Sequence, residues 1–150
     1  VQGLAILLAV VLTPLVARPV LACSCAEPGP VLESAAGADA VFLARVTSMV
    51  LVPDRDPDVG DIEDALVTLD VIESWKGVTT TTVQVRTSWT CCLCGYPFYL
   101  ATTYVVYAYA DEAHGVLRAS ACSRTRTDSE GADDLPVLRR AFPALPLDPG

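Results

Sequence analysis

The sequence predicts a mainly β domain, a five-stranded OB-type closed barrel carrying a short N-terminal helical turn and a C-terminal helix. Three observations point there. Five runs of alternating or β-branched residues are separated by turn residues. Helical patterning is confined to two short flanking segments. About 128 residues follow an apolar leader, enough for one core and one domain, which favours a small closed barrel over a sandwich.

The leader comes first. Residues 3–16 are an uninterrupted apolar run, followed by Ala17, Arg18 and Pro19 and then by Val20-Leu21-Ala22. This is the pattern of an export signal cut after a small residue, and it is short of the roughly 20 residues a membrane span needs. Residues 1–22 are therefore expected to be a signal peptide, 23–142 the folded domain and 143–150 a flexible tail.

Residues 30–36 suit a short helix that Gly37 stops. Residues 40–50 read as a strand, with Phe42, Ala44 and Val46 on one face and Arg45 and Thr47 on the other. A second alternating run, 65–75, points Val67, Leu69, Val71 and Trp75 one way and Thr68, Asp70 and Ser74 the other, and Lys76-Gly77 turns the chain. Residues 80–87 are β-branched and alternate around Val83 and Val85. Residues 103–110 form a strand of Tyr and Val, which 111–115 turns into a hairpin with 116–122. Residues 133–142 are expected to be helical, with acids at the start and Arg139-Arg140 near the end, as the helix dipole prefers.

With 10 basic and 18 acidic residues the formal charge is -8, and loss of Arg18 with the leader makes it about -9. Such a surface excludes nucleic acid as a partner, since that needs clustered Lys and Arg. Export places Cys23, Cys25, Cys91, Cys92, Cys94 and Cys122 in an oxidising compartment, where disulfides are the default. Six cysteines allow fifteen connectivities, and spacing alone does not select one.

Cleavage after Ala22 makes Cys23 the first residue of the mature chain. Its α-amine then lies close to a second cysteine, Cys25, and an amine so placed is a potential metal ligand. Val20-Leu21-Ala22-Cys23 also approximates a bacterial lipobox. In that alternative the Cys23 sulfur is lipidated, and the chain is a cell-envelope lipoprotein with a membrane anchor.

Other chemistries fit less well. Asp54, Asp56, Asp58, Asp61, Glu63 and Asp64 suggest calcium but fail the EF-hand template, with Val59 at the sixth position and Ala65 at the twelfth. A solvated acidic hairpin tip is expected there. The cysteine cluster has spacings too short for a structural zinc site. His114, the one histidine, lies in a turn and is expected to be solvated. No hydrolase elbow, metalloprotease motif or phosphate loop is present, so no enzyme activity and no cofactor of its own are expected.

Several segments in order carry a resemblance: Cys23-Ser24-Cys25, residues 37–46, the Trp75-Lys76-Gly77 turn, Cys94-Gly95, the strand around 104–108 and residues 117–122. Together, over roughly residues 23–125, they resemble the N-terminal, netrin-like domain of the tissue inhibitors of metalloproteinases. The resemblance implies a single-domain, secreted, monomeric form with bridges Cys23–Cys94 and Cys25–Cys122. It also implies an inhibitory wedge of Cys23, Ser24 and Cys25, in which the amine and carbonyl of Cys23 chelate, in trans, the catalytic zinc of a target metalloproteinase. A catalytic zinc keeps one position open to water, which an amine nitrogen takes at about 2.0–2.1 Å. Ser24 would face the specificity pocket beside the metal, and the acidic loop around 54–64 would touch the protease beside its cleft. Two departures stand out. Ala36 occupies the place of the family's third N-terminal cysteine, and Cys91 and Cys92 are additional. They are expected to form a vicinal Cys91–Cys92 bridge, to pair between molecules, or to compete with Cys94. The alternative function is a non-inhibitory netrin-like binding module.

Overall fold

The computed structural model describes residues 23–90 and 93–149. The signal-peptide and Cys91–Cys92 expectations lie outside them. The chain runs through α1 (Val31–Gly37), β1 (Ala40–Asp56), β2 (Gly60–Lys76), β3 (Thr82–Ser88), β4 (Thr103–Asp111), β5 (Val116–Arg118), β6 (Arg126–Thr127) and α2 (Asp134–Ala141). The protein is mainly β with two short helices.

Strand pairing follows the order β1–β2–β3–β5–β4–β6, and β1 also pairs with β4. The pairings among β1, β2, β3, β5 and β4 therefore return on themselves. All are antiparallel except β3 with β5, where Val85 and Arg86 lie beside Leu117 and Arg118. The short β6 pairs with β4 through Tyr104 and Val105, and local sequence gives no sign of it because two residues hold no periodicity.

Alternation along β1 separates two apolar clusters. Ala40, Phe42, Ala44 and Val46 face inward with Val67, Leu69, Val85, Phe98, Tyr104 and Val106. Val41 and Leu43 face the other way and pack with Ala35, Ala38, Trp75, Tyr107 and Leu138, so α1 and α2 cover that side of β1 and β4.

Trp75 departs from the alternation. The register with β1 jumps between Leu43↔Glu73 and Ala44↔Val71, leaving Ile72 as an extra, exposed residue in β2. Such an irregularity inverts the facing of the residues next to it, and a second one follows at Trp75, between Phe42↔Ser74 and Val41↔Lys76. Ser74 turns inward and donates to the Val78 carbonyl at 2.7 Å, and Trp75 joins the helix-covered cluster.

The β1–β2 hairpin is longer than the periodicity suggests, with pairing continuing to Asp56↔Gly60. At its other end Gly77 turns the chain with φ 74°, and a Cβ there would lie 2.2 Å from the Asp39 carbonyl oxygen. Beside it Lys76 Nζ donates to the carbonyls of Ala35, Ala36 and Ala38, satisfying the open C-terminal end of α1. Residues 143–149 lie against the domain. Leu145 donates to the Ser74 carbonyl, Asp148 to that of Thr79, and Thr81 to that of Asp148. Among the described residues no helix is long and apolar enough to cross a membrane.

Candidate functional site: the disulfide-pinned N-terminal segment

Cys23 is bonded to Cys94 and Cys25 to Cys122, with Cα separations of 5.3 and 5.0 Å. These are the pairs that the resemblance implies, and bridges of this kind suit an oxidising environment. They close loops of 71 and 97 residues, joining the extended N-terminus to two segments distant in sequence. Cys23, Ser24 and Cys25 are all exposed.

The two receiving segments are rigid for local reasons. Cys94 has a left-handed φ of 56°, and its carbonyl accepts from Ala121 at 2.8 Å. Gly95 bridges to Ser120, and a Cβ on it would stand 1.7 Å from the Ser88 carbonyl oxygen, so only glycine allows this approach. Tyr96 donates its backbone N–H to Thr87 Oγ1 at 2.6 Å, and its ring meets Phe98 and Tyr104 at centroid distances of 4.8 and 5.7 Å. The edge-to-face arrangement of Tyr96 on Tyr104 suits the aromatic quadrupoles. Cys94 therefore sits on a segment fixed to β3, to the aromatic cluster and to the loop carrying Cys122.

A second clamp follows Cys25. Arg124, two residues beyond Cys122, donates from Nη1 to the Gly29 carbonyl at 2.7 Å. Its Nε and Nη2 each lie 2.8 Å from the two carboxylate oxygens of Asp134, and Tyr107 Oη donates to the same carboxylate at 3.0 Å. Burial works against the Asp134 charge, but the hydrogen bonds from Arg124 and Tyr107 and the nearby guanidinium outweigh it, so this carboxyl titrates below the usual aspartate value. Burial, reinforced by the Asp134 charge, pushes the Tyr107 phenol well up. The segment between Cys25 and Gly29 is thus held at both ends. Arg124 lies in a short stretch of local basic charge just after Cys122. Its Asp134 partner is ten residues on, outside any local pattern.

Beside Cys23 opens a cleft of about 450 Å³, lined by Cys23, Trp89, Thr90, Cys94 and Tyr96 among others. Trp89 presents half of its surface to solvent. Sequence reading does not single out Trp89, whose position emerges only once Cys94 and β3 are brought together.

The acidic hairpin is not simply a solvated tip. Asp64 is fully buried, with Oδ2 at 2.7 Å from Arg86 Nε and 2.5 Å from Arg118 Nη2. Asp54 lies 3.2 Å from Arg86 Nη2, and His114 bridges two carboxylates, Nε2 at 3.3 Å from Asp54 and Nδ1 at 3.0 Å from Asp111. The extended β1–β2 pairing draws these carboxylates onto arginines of β3 and β5, and buried charges persist only when paired. Asp58 and Asp61 remain exposed near the turn.

The sulfurs of Cys25, Cys94 and Cys122 lie within 4.8 Å of one another, but all three are oxidised. A metal takes thiolates, so this cluster is unsuited to zinc in this state. The Cys23–Cys94 bridge likewise occupies the sulfur that a lipid thioether would require. Compared with known proteins, the chain matches no family model and no curated protein.

Proposed function

We propose that this chain is a secreted inhibitor of a zinc metalloendopeptidase, built on an OB-type, netrin-like barrel. In this reading the amine and carbonyl of Cys23, once the leader is removed after Ala22, chelate the catalytic zinc of the target. The carrying observation is the pair of bridges from Cys23 and Cys25, two residues apart, to segments that are themselves rigid. Such anchoring reduces the conformational entropy lost on docking, because the ligand atoms are already positioned. The returning ring of strand pairings supports the barrel reading, and the exposure of Cys23, Ser24 and Cys25 supports contact with a partner. Ser24 enters the specificity pocket beside the metal. The target supplies the zinc, and the chain carries no cofactor of its own.

The test compares the exported chain beginning at Cys23 with a variant carrying one added alanine before it, against a panel of zinc metalloendopeptidases. Inhibition by the first and a loss of at least about a hundredfold in the second is expected, since an amide nitrogen is no longer a ligand. Equal potency of the two overturns the reading. Intact mass of the exported protein checks the start: an oxidised chain beginning at Cys23 fits the inhibitor, and a diacyl increment fits an envelope lipoprotein instead.

A further inference from the structure

We propose that the two bridges form a thiol–disulfide interchange site, opened by a dithiol reductant, that moves the N-terminal tether to another sulfur or releases it. The geometry is specific. Cys94 Sγ lies within 4.8 Å not only of one sulfur of the neighbouring bridge but of both, Cys25 and Cys122. Both of those residues are exposed, whereas Cys94 is half-buried on its fixed segment. A thiolate at Cys94 therefore has two electrophilic sulfurs within a short displacement, with no unfolding needed to reach them.

The chemistry balances without further oxidant. One thiolate of the dithiol attacks Cys23 Sγ, the Cys23–Cys94 bond breaks, and its electron pair leaves on Cys94. The second thiol of the reductant closes onto the first, releasing Cys23 as a thiolate that takes up a proton; the dithiol is oxidised by two electrons and one protein bridge is reduced. The Cys94 thiolate then attacks Cys122 Sγ, forming Cys94–Cys122 and expelling Cys25 as thiolate, or attacks Cys25 Sγ and expels Cys122. This second step transfers no net electrons. The Cys94–Cys122 isomer leaves Cys23 and Cys25 without a covalent tether, while the Arg124 contact to Gly29 still holds the chain behind them. As a switch on inhibition the idea rests on the function proposed above, but the interchange itself does not.

The experiment needs no protease. In a Cys91→Ser, Cys92→Ser background, Cys23→Ser leaves Cys94 as the lone thiol beside Cys25–Cys122. The protein is incubated at pH 8, quenched in acid, alkylated, and its bridges mapped by peptide mass spectrometry. A non-native Cys94–Cys122 or Cys25–Cys94 bridge in at least about a tenth of molecules is expected, because interchange among adjacent sulfurs reaches equilibrium. Limited reduction of the unsubstituted oxidised chain with dithiothreitol, quenched and mapped in the same way, reads the isomers without relying on a variant that must fold. Retention of Cys25–Cys122 alone in the Cys23→Ser protein and after limited reduction overturns the proposal. Failure here leaves the alanine-extension result untouched, so the two readings stand or fall separately.

Discussion

Arg124 grips both carboxylate oxygens of Asp134 at 2.8 Å, and its remaining nitrogen reaches the Gly29 carbonyl behind the disulfide-pinned segment. One ion pair thus connects the loop after Cys122, the start of α2 and the N-terminal chain. Arginine suits this position because its planar fork satisfies a carboxylate with two nitrogens and leaves a third for a carbonyl.

Asp134→Asn is expected to cost about 3 kcal/mol, because it leaves the Arg124 guanidinium largely buried without its counter-charge. Urea denaturation followed by tryptophan fluorescence measures this. A paired replacement, Arg124→Met with Asp134→Leu, is expected to cost less than Asp134→Asn, since neither residue then leaves a buried charge alone. Equal or greater loss in the double variant removes the ion-pair explanation.

Acid should weaken the fold through three carboxylates. Burial opposes the charge on Asp54, Asp111 and Asp134, yet backbone and side-chain hydrogen bonds and neighbouring Arg and His outweigh it, and each titrates below 3.8. A carboxyl depressed in the folded state stabilises above its unfolded value, and that contribution is lost as pH falls through the folded value. The urea midpoint is expected to hold down to about pH 4 on account of these groups and to drop below it. Asp134→Asn should show a shallower drop. The same slope in both proteins would count against Asp134 as a contributor.

Gly95→Ala brings a Cβ to 1.7 Å from the Ser88 carbonyl oxygen, so the backbone of either β3 or the Cys94 segment must move. A loss of roughly 1–3 kcal/mol is expected, the range for forcing an added methyl into a close-packed contact. The displaced Cys94 segment should also make its bridge to Cys23 more accessible to dithiothreitol, read as faster reduction at fixed reductant. Gly37→Ala, whose Cβ meets nothing within 4 Å and whose φ is not left-handed, serves as the glycine-loss control.

On the proposed zinc chelation, inhibition is expected to fall in acid for a reason separate from stability. An α-amine titrates near 7.7–8.0, and only its unprotonated form binds zinc, so potency is expected to drop about tenfold for each pH unit below that range. The inhibition constant measured from pH 6 to 8.5, with uninhibited protease activity recorded at each pH, gives the slope. A flat profile speaks against chelation by the amine.

Local periodicity sets the main strands, because Phe42-Ala44-Val46, Val67-Leu69 and Tyr104–Ala108 carry a period that demands a buried face. Local sequence also sets α2, whose acidic start at Asp134 and basic end at Arg139-Arg140 are a local charge pattern, and the turns at Gly77 and Gly115, where a positive φ is a short-range requirement. Spacing did not determine the cysteine pairs, which came through ordered resemblance alone. Features that depend on residues far apart in the chain emerge only in the folded protein. The register shifts at Ile72 and Trp75 bring Trp75 under the helices, Asp64 is buried between Arg86 and Arg118, and Arg124 joins Asp134 and Gly29. The physical reason is common to all three: whether a polar or apolar group is buried depends on which distant segment completes its surroundings, and local periodicity holds no record of that segment.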